Sequence, residues 1–214
     1  MRLFRSGESH CRKPSSASGA EVATAYFVDS SALVKRYVVE TGTAWVRGIT
    51  RRMPSTHIYV SLITAVEVTS AVARRRGVTL SATRASSILS RFRKHLAGRY
   101  LPSEITPALV NDAMKLANTH RLRAYDAVQL ATALDLHKDW SANSLGAFVF
   151  ISADHALNAA ATAEGLTVDD PKATLNYATP ALLSERGGQQ LRLPAMLTRM
   201  ESLKSVYVDA EKGT

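Results

Sequence analysis

At 214 residues with 46 % hydrophobic side chains, the chain fits one domain with flanking extensions and can build a core without disulfides or structural metal. Its single cysteine, Cys11, excludes a disulfide framework and suits a reducing cytoplasm, while no apolar run nears the roughly 18–20 residues that span a bilayer and the N-terminal arginines lack the apolar stretch of a signal peptide. The formal charge of +9 favours polyanionic partners, with local clusters at Arg51-Arg52, Arg74-Arg75-Arg76 and Arg91-Phe92-Arg93-Lys94.

Residues 1–24, rich in Ser, Gly and Arg and without periodicity, read as a flexible leader. Tyr26–Val28 is a short apolar run suited to a buried strand, and Ser30 then opens a helical segment with Leu33, Val34 and Tyr37 at helical spacing. Ala44–Arg52 reads as a second helix ended by Pro54. Ile58–Val60 is the next strand, with Ser61 expected as the N-cap of a helix that runs to Arg76 and stops at Gly77. A further helix covers Ser81–Leu96. Thr106 and Pro107 open another, with a stripe of Leu109, Val110, Ala113, Met114 and Ala117. Tyr125–His137 is an Ala-rich apolar helix, Ala147–Ile151 a strand, Asp154–Ala163 a helix, and Leu166–Val168 a last strand. Short strands separated by helices predict an α/β fold with a short central parallel sheet flanked by helices on both faces. Residues 171–214 read as a flexible or partly helical extension, with one amphipathic helix expected over Leu193–Val206.

Four acids stand out. Asp29 and Asp154 follow the two clearest strands, and Glu67 and Asp126 sit among apolar neighbours near helix starts. Burying an unpaired carboxylate is costly, so acids in apolar surroundings need compensation. A single such acid is most simply a helix cap or first-turn residue, but four recurring in the same kind of place point to a shared site. In open α/β sheets ligands bind beyond the carboxyl ends of the strands. Carboxylates gathered there would repel one another unless a cation lay between them, and a hard divalent ion such as Mg²⁺ or Mn²⁺ prefers such oxygen ligands. Acid-held metal in a basic protein suggests chemistry on phosphates. No His or Cys spacing suggests zinc, no Gly-rich loop with lysine suggests an NTPase, and Ser30 and Ser31 lack the glycines of a nucleophile elbow.

The series Val28-Asp29-Ser30-Ser31-Ala32-Leu33-Val34-Lys35, Ala65-Val66-Glu67-Val68, Leu122-Arg123-Ala124-Tyr125-Asp126-Ala127-Val128-Gln129-Leu130-Ala131-Thr132-Ala133 and Ile151-Ser152-Ala153-Asp154 closely resembles the PIN domain, over about residues 25–170. More narrowly it is similar to the ribonuclease toxins of VapBC-type toxin–antitoxin modules. The resemblance implies that Asp29, Glu67, Asp126 and Asp154 are catalytic and hold Mg²⁺ or Mn²⁺, with Ser30 and Ser152 supporting them. It implies Mg²⁺- or Mn²⁺-dependent endonucleolytic cleavage of RNA; the mechanism expected for such a site is attack of a metal-activated water on the phosphodiester, leaving a 5′-phosphate and a 3′-hydroxyl. A cognate antitoxin, a homodimer, no membrane association and a cytoplasmic location are expected with it. Arg74, Arg75, Arg76 and Arg123 are candidate RNA contacts. Tyr37, Tyr59 and Tyr125 could stack bases, although a core position is the simpler assignment for each. The alternative is a PIN-like module that binds RNA or a partner without cutting. A phosphoaspartyl switch at Asp29 is disfavoured because position 31 is Ser rather than a second acid.

Overall fold

In the computed structural model, residues 23–51 and 55–173 are described. The expected leader, except for Ala23 and Thr24, and the expected extension after Ala173, including the Leu193–Val206 helix, lie outside the described residues.

Five parallel strands form one sheet: β1 (Thr24–Val28), β2 (Thr56–Ser61), β3 (Leu101–Ser103), β4 (Ala147–Ile151) and β5 (Thr167–Asp169), in the order β3-β2-β1-β4-β5. Between β1 and β2 lie α1 (Ser30–Leu33), a 3₁₀ turn at Val34–Arg36 and α2 (Thr43–Ile49). α3 (Thr64–Arg75) and α4 (Ala82–Gly98) connect β2 to β3. α5 (Pro107–His120) and α6 (Ala124–Ala142) precede β4, and α7 (His155–Ala163) leads to β5. Among the described residues no helix is long and apolar enough to cross a membrane.

Alternate strand residues face opposite sides of a sheet, and this alternation builds two cores. Ala25, Phe27, Tyr59, Phe148 and Phe150 point to one face and pack with residues of α5, α6 and α7. Phe27 and Phe150 stack there with ring centroids 5.6 Å apart. Val28, Ile58, Val60 and Ile151 point the other way, against the α1 region and residues of α3 and α4. Both faces are covered, which is why the strands read as apolar runs.

The chain departs from sequence expectation in three places. Ser61 does not cap α3: it is the last residue of β2, fully buried, paired with Ser103, and α3 opens three residues later at Thr64. β3 has no strand pattern in the sequence because it has three residues and one is Pro102; a proline cannot donate to a sheet ladder and is tolerated at an edge, where β3 lies. α6 runs on to Ala142, beyond His137, and its last turn buries Trp140.

β2 and β3 lie on one side of β1, and β4 and β5 on the other. The strand order therefore reverses between β1 and β4, and the crevice beyond their carboxyl ends is where such sheets bind ligands.

Candidate functional site

Asp29 directly follows β1, in extended conformation, and caps α1. It is only 2 % exposed. Its Oδ2 accepts hydrogen bonds from the Ser31 amide at 3.0 Å, the Ser31 hydroxyl at 2.6 Å and the Ser152 hydroxyl at 3.1 Å. The Ser30 hydroxyl reaches Oδ1 at 3.4 Å. Burial pushes the Asp29 carboxyl above its ordinary range, and these donors oppose the shift.

Ser152 occupies the equivalent place after β4. Its hydroxyl donates to Asp29 and accepts from the Asp154 amide at 3.1 Å, and its carbonyl accepts from Asn158 Nδ2 at 3.0 Å. Asp154 caps α7, with Oδ1 accepting from the Leu157 amide at 3.0 Å.

Glu67 and Asp126 stand in the first turns of α3 and α6, where the helix dipole favours an anion. Both are nonetheless raised. Glu67 is pushed up to about 7, chiefly by burial and further by the charges of Asp29 and Asp126, against hydrogen bonds from Gln129 and Ser30. Asp126 is pushed up to about 6 by burial first, then by the charges of Asp29 and Asp154, with Arg123 opposing. Mutual repulsion thus links all four acids, which come from four separate stretches of sequence. Glu40, Asp112 and Glu164 form ion pairs, whereas these four acids form none among the described residues.

Among the described residues, no three His, Cys, Asp or Glu side chains close into a cage that would grip an ion unaided. A hard ion that keeps several waters needs only one or two direct carboxylates. An all-oxygen donor set in which Asp29, Glu67 and Asp126 resist ionisation, and in which no acid is held in an ion pair among the described residues, fits Mg²⁺ or Mn²⁺.

The candidate RNA contacts divide. Arg123 holds the N-cap position of α6, is exposed, and acts electrostatically on Asp126. Arg74, Arg75 and Arg76 lie at the far end of α3 from Glu67, about 12 Å along the helix for an eight-residue separation. Arg75 is paired with Glu40, Arg74 donates to Ser70 Oγ at 2.6 Å, and Arg76 is exposed. Of the tyrosines, Tyr37 and Tyr59 are in the core, whereas Tyr125, beside Asp126, is 55 % exposed.

Two residues were missed in the sequence. The Ser31 hydroxyl is closer to Asp29 than that of Ser152, at 2.6 Å against 3.1 Å, and also accepts from the Ala153 amide at 2.9 Å. Its signal was a hydroxyl two residues after an acid at a helix start, the spacing of a local capping turn. Gln129 is fully buried and donates to Glu67 Oε2 at 2.6 Å. Its signal was a polar residue in an apolar helix, three positions after Asp126 and so on the same helical flank.

The sequence matches the family model described as PIN domain over residues 26–163, and the chain belongs to that family. Solved structures with a similar fold include FitAcB from Neisseria gonorrhoeae, at 21 % identity and TM-score 0.45, covering 68 % of this chain and 97 % of that one. FitAB bound to an IR36 DNA fragment is similar at 19 % identity and TM-score 0.47, covering 69 % and 95 %. PAE2754 from Pyrobaculum aerophilum follows at 17 % identity and TM-score 0.43, covering 71 % and 93 %. No curated protein matches.

Proposed function

We propose that this PIN-domain protein is a metal-dependent endoribonuclease and the toxin of a toxin–antitoxin pair. The observation that carries the nuclease reading is the electrostatic one. Acids from four separate segments act on one another's charge, two of them just beyond the strand ends at the switch point, and the carboxyls of Asp29, Glu67 and Asp126 are held above their ordinary ranges. Asp29, Glu67, Asp126 and Asp154 would hold Mg²⁺ or Mn²⁺. When bound, such an ion polarises a phosphoryl oxygen and makes a water acidic enough to serve as a nucleophile at neutral pH.

The chain's own residues supply the rest. The serine hydroxyls fix the Asp29 carboxylate in one orientation. Glu67, raised to about 7 by burial and its acidic neighbours, is an acid whose ionisation a bound cation would favour. Arg123, exposed and acting electrostatically on Asp126, would meet a backbone phosphate. The antitoxin, homodimer and cytoplasmic parts of the reading rest on the sequence resemblance and on the lone Cys11.

The test is incubation of the purified protein with structured RNA in Mn²⁺, Mg²⁺ or EDTA, beside Asp29→Asn and Asp126→Asn. Metal-dependent cleavage absent from both variants supports the nuclease. RNA binding that is indifferent to EDTA and to both substitutions, with no cleavage under any metal, would leave a binding module instead.

A further inference from the structure

Gln129 presents an oddity that the acidic site does not by itself explain. α6 is Ala-rich and buries Ala127, Leu130, Ala131 and Ala133, yet among them it buries a primary amide completely. Both N–H groups of that amide are used: Nε2 donates to Glu67 Oε2 at 2.6 Å and to Thr64 Oγ1 at 2.9 Å. The amide oxygen, in contrast, is buried with no hydrogen-bond partner. An unsatisfied buried carbonyl is costly, and an apolar side chain of the same size would avoid that cost. With Glu67 ionised, turning the amide over would bring its oxygen against a carboxylate oxygen, which is repulsive, so the ionised acid selects this orientation. The bond is charge-assisted, the stronger kind, and it crosses from α6 to α3.

We propose that Gln129 is a positioning residue for the acidic site, aiming the Glu67 carboxylate into the crevice so that it can share a divalent cation with the other acids. The inference rests on the metal-dependent reading above. Glu67 is a flexible side chain on the first turn of α3, and Asp29 and Asp126 repel it; without a fixed donor it would turn toward solvent. Gln129 holds Oε2 from the buried α6 side, with Ser30 a weaker second donor to the carboxylate, and so turns the group toward the other acids. Thr64, fully buried at the start of the same helix, fixes the amide from its other side.

Outer partners that orient a ligand typically cost 10–100-fold in metal affinity when removed, so about 10-fold is expected here. The experiment titrates Mn²⁺ into the metal-free full-length protein and follows free Mn²⁺ by electron paramagnetic resonance. Wild type, Gln129→Met, Thr64→Val and Asp29→Asn are compared, each with a thermal unfolding curve. Expected are a Mn²⁺ Kd about 10-fold weaker for Gln129→Met, a smaller loss for Thr64→Val, and no measurable site in Asp29→Asn. In RNA cleavage the Mn²⁺ concentration for half-maximal rate should rise in parallel, while the rate at saturating Mn²⁺ is largely recovered. A merely structural brace would lower the unfolding temperature and leave the Kd of the folded fraction unchanged; that result overturns the proposal. Should Gln129→Met not fold, Thr64→Val decides, and an unchanged Kd there overturns it equally. If the wild type has no Mn²⁺ site, or Asp29→Asn binds as well as wild type, the metal centre itself fails, an outcome distinct from a silent Gln129→Met beside a dead Asp29→Asn.

Discussion

The Ser152 hydroxyl donates to Asp29 Oδ2 at 3.1 Å, joining residues 123 positions apart at the ends of two adjacent parallel strands. The bond closes the reversal of strand order with a polar contact and ties the acid after β1 to the acid-bearing turn after β4. Ser31 completes the cradle from the near side, donating to the same oxygen at 2.6 Å while accepting from the Ala153 amide. A carboxylate this deeply buried depends on these donors.

Ser31→Ala and Ser152→Ala should therefore each destabilise the protein at neutral pH by about 1–3 kcal/mol, the usual cost of leaving a buried polar group short of a partner. Ser31→Ala should cost more, since it strands the Ala153 amide as well and removes the shorter of the two hydroxyl bonds. Denaturant unfolding at pH 7 measures both. Losses below a few tenths of a kcal/mol would mean that water replaces the hydroxyls and that Asp29 is not dependent on them.

The positions of the acids were legible in the sequence, but their supporting groups largely were not. Asp29 and Asp154 announce themselves by ending apolar runs, and Glu67 and Asp126 by standing alone among apolar neighbours. Ser31 and Gln129 look like ordinary small and polar residues until tertiary folding sets them beside Asp29 and Glu67. The same limit applies to Ser61. Read alone, a serine before an apolar helix suggests a cap, and only pairing with Ser103 shows that the strand still continues. The tyrosines show it in reverse: Tyr37 and Tyr125 look alike in sequence, yet one bonds the buried Tyr100 hydroxyl at 2.7 Å and the other faces solvent.

The raised acids give the metal-free protein a stability that depends on pH with a definite sign. Glu67 sits at about 7 against an ordinary 4.5, and Asp126 at about 6 against 3.8. Between the ordinary and folded values the folded state binds more protons than the unfolded state, so stability falls as pH rises. The contribution is fully present below the ordinary values and gone above the folded ones. Asp126→Asn should be no more stable than wild type near pH 4 and more stable above pH 7, by a few degrees in Tm, although it loses cleavage. Mn²⁺ should restore stability to the wild type at neutral pH and not to the variant. Equal pH slopes for the two proteins would show that Asp126 is not under strain from its neighbours.

Gly42 makes a prediction away from the acids. It precedes α2 with φ of +89°, a left-handed conformation natural to glycine. A Cβ there would lie 2.5 Å from the Pro171 carbonyl oxygen, which is backbone and cannot swing away. Gly42→Ala should cost about 1–3 kcal/mol for the strained backbone alone, with more for displacing Pro171. Thermal unfolding checks the loss. Gly48→Ala is the control, since a Cβ there meets nothing within 4 Å and the residue is in a helix; it should be neutral or slightly stabilising. A Gly42→Ala protein as stable as wild type would mean that the segment at Pro171 moves freely away from α2.

Tyr125 separates substrate binding from folding. It is 55 % exposed, lies next to Asp126 in the chain and follows the exposed Arg123 by two residues, so its ring is open to solvent close in sequence to an acid of the site. A single-stranded base laid on an aromatic ring contributes about 1–3 kcal/mol by alanine substitution, which is about 5- to 150-fold in Kd. Removing an exposed ring should leave the core untouched, whereas Tyr37→Ala or Tyr59→Ala would open a cavity. Fluorescence anisotropy with a single-stranded RNA, in the Asp29→Asn background so that no substrate is cut, should show weaker binding for Tyr125→Ala. The unfolding temperature should stay within a degree or so of its parent. Arg123→Ala should weaken binding too, with a salt dependence shallower by about one unit of log–log slope, the signature of one lost phosphate contact. If Tyr125→Ala binds RNA as its parent does, no base stacks on that ring and RNA specificity must be read elsewhere on the crevice.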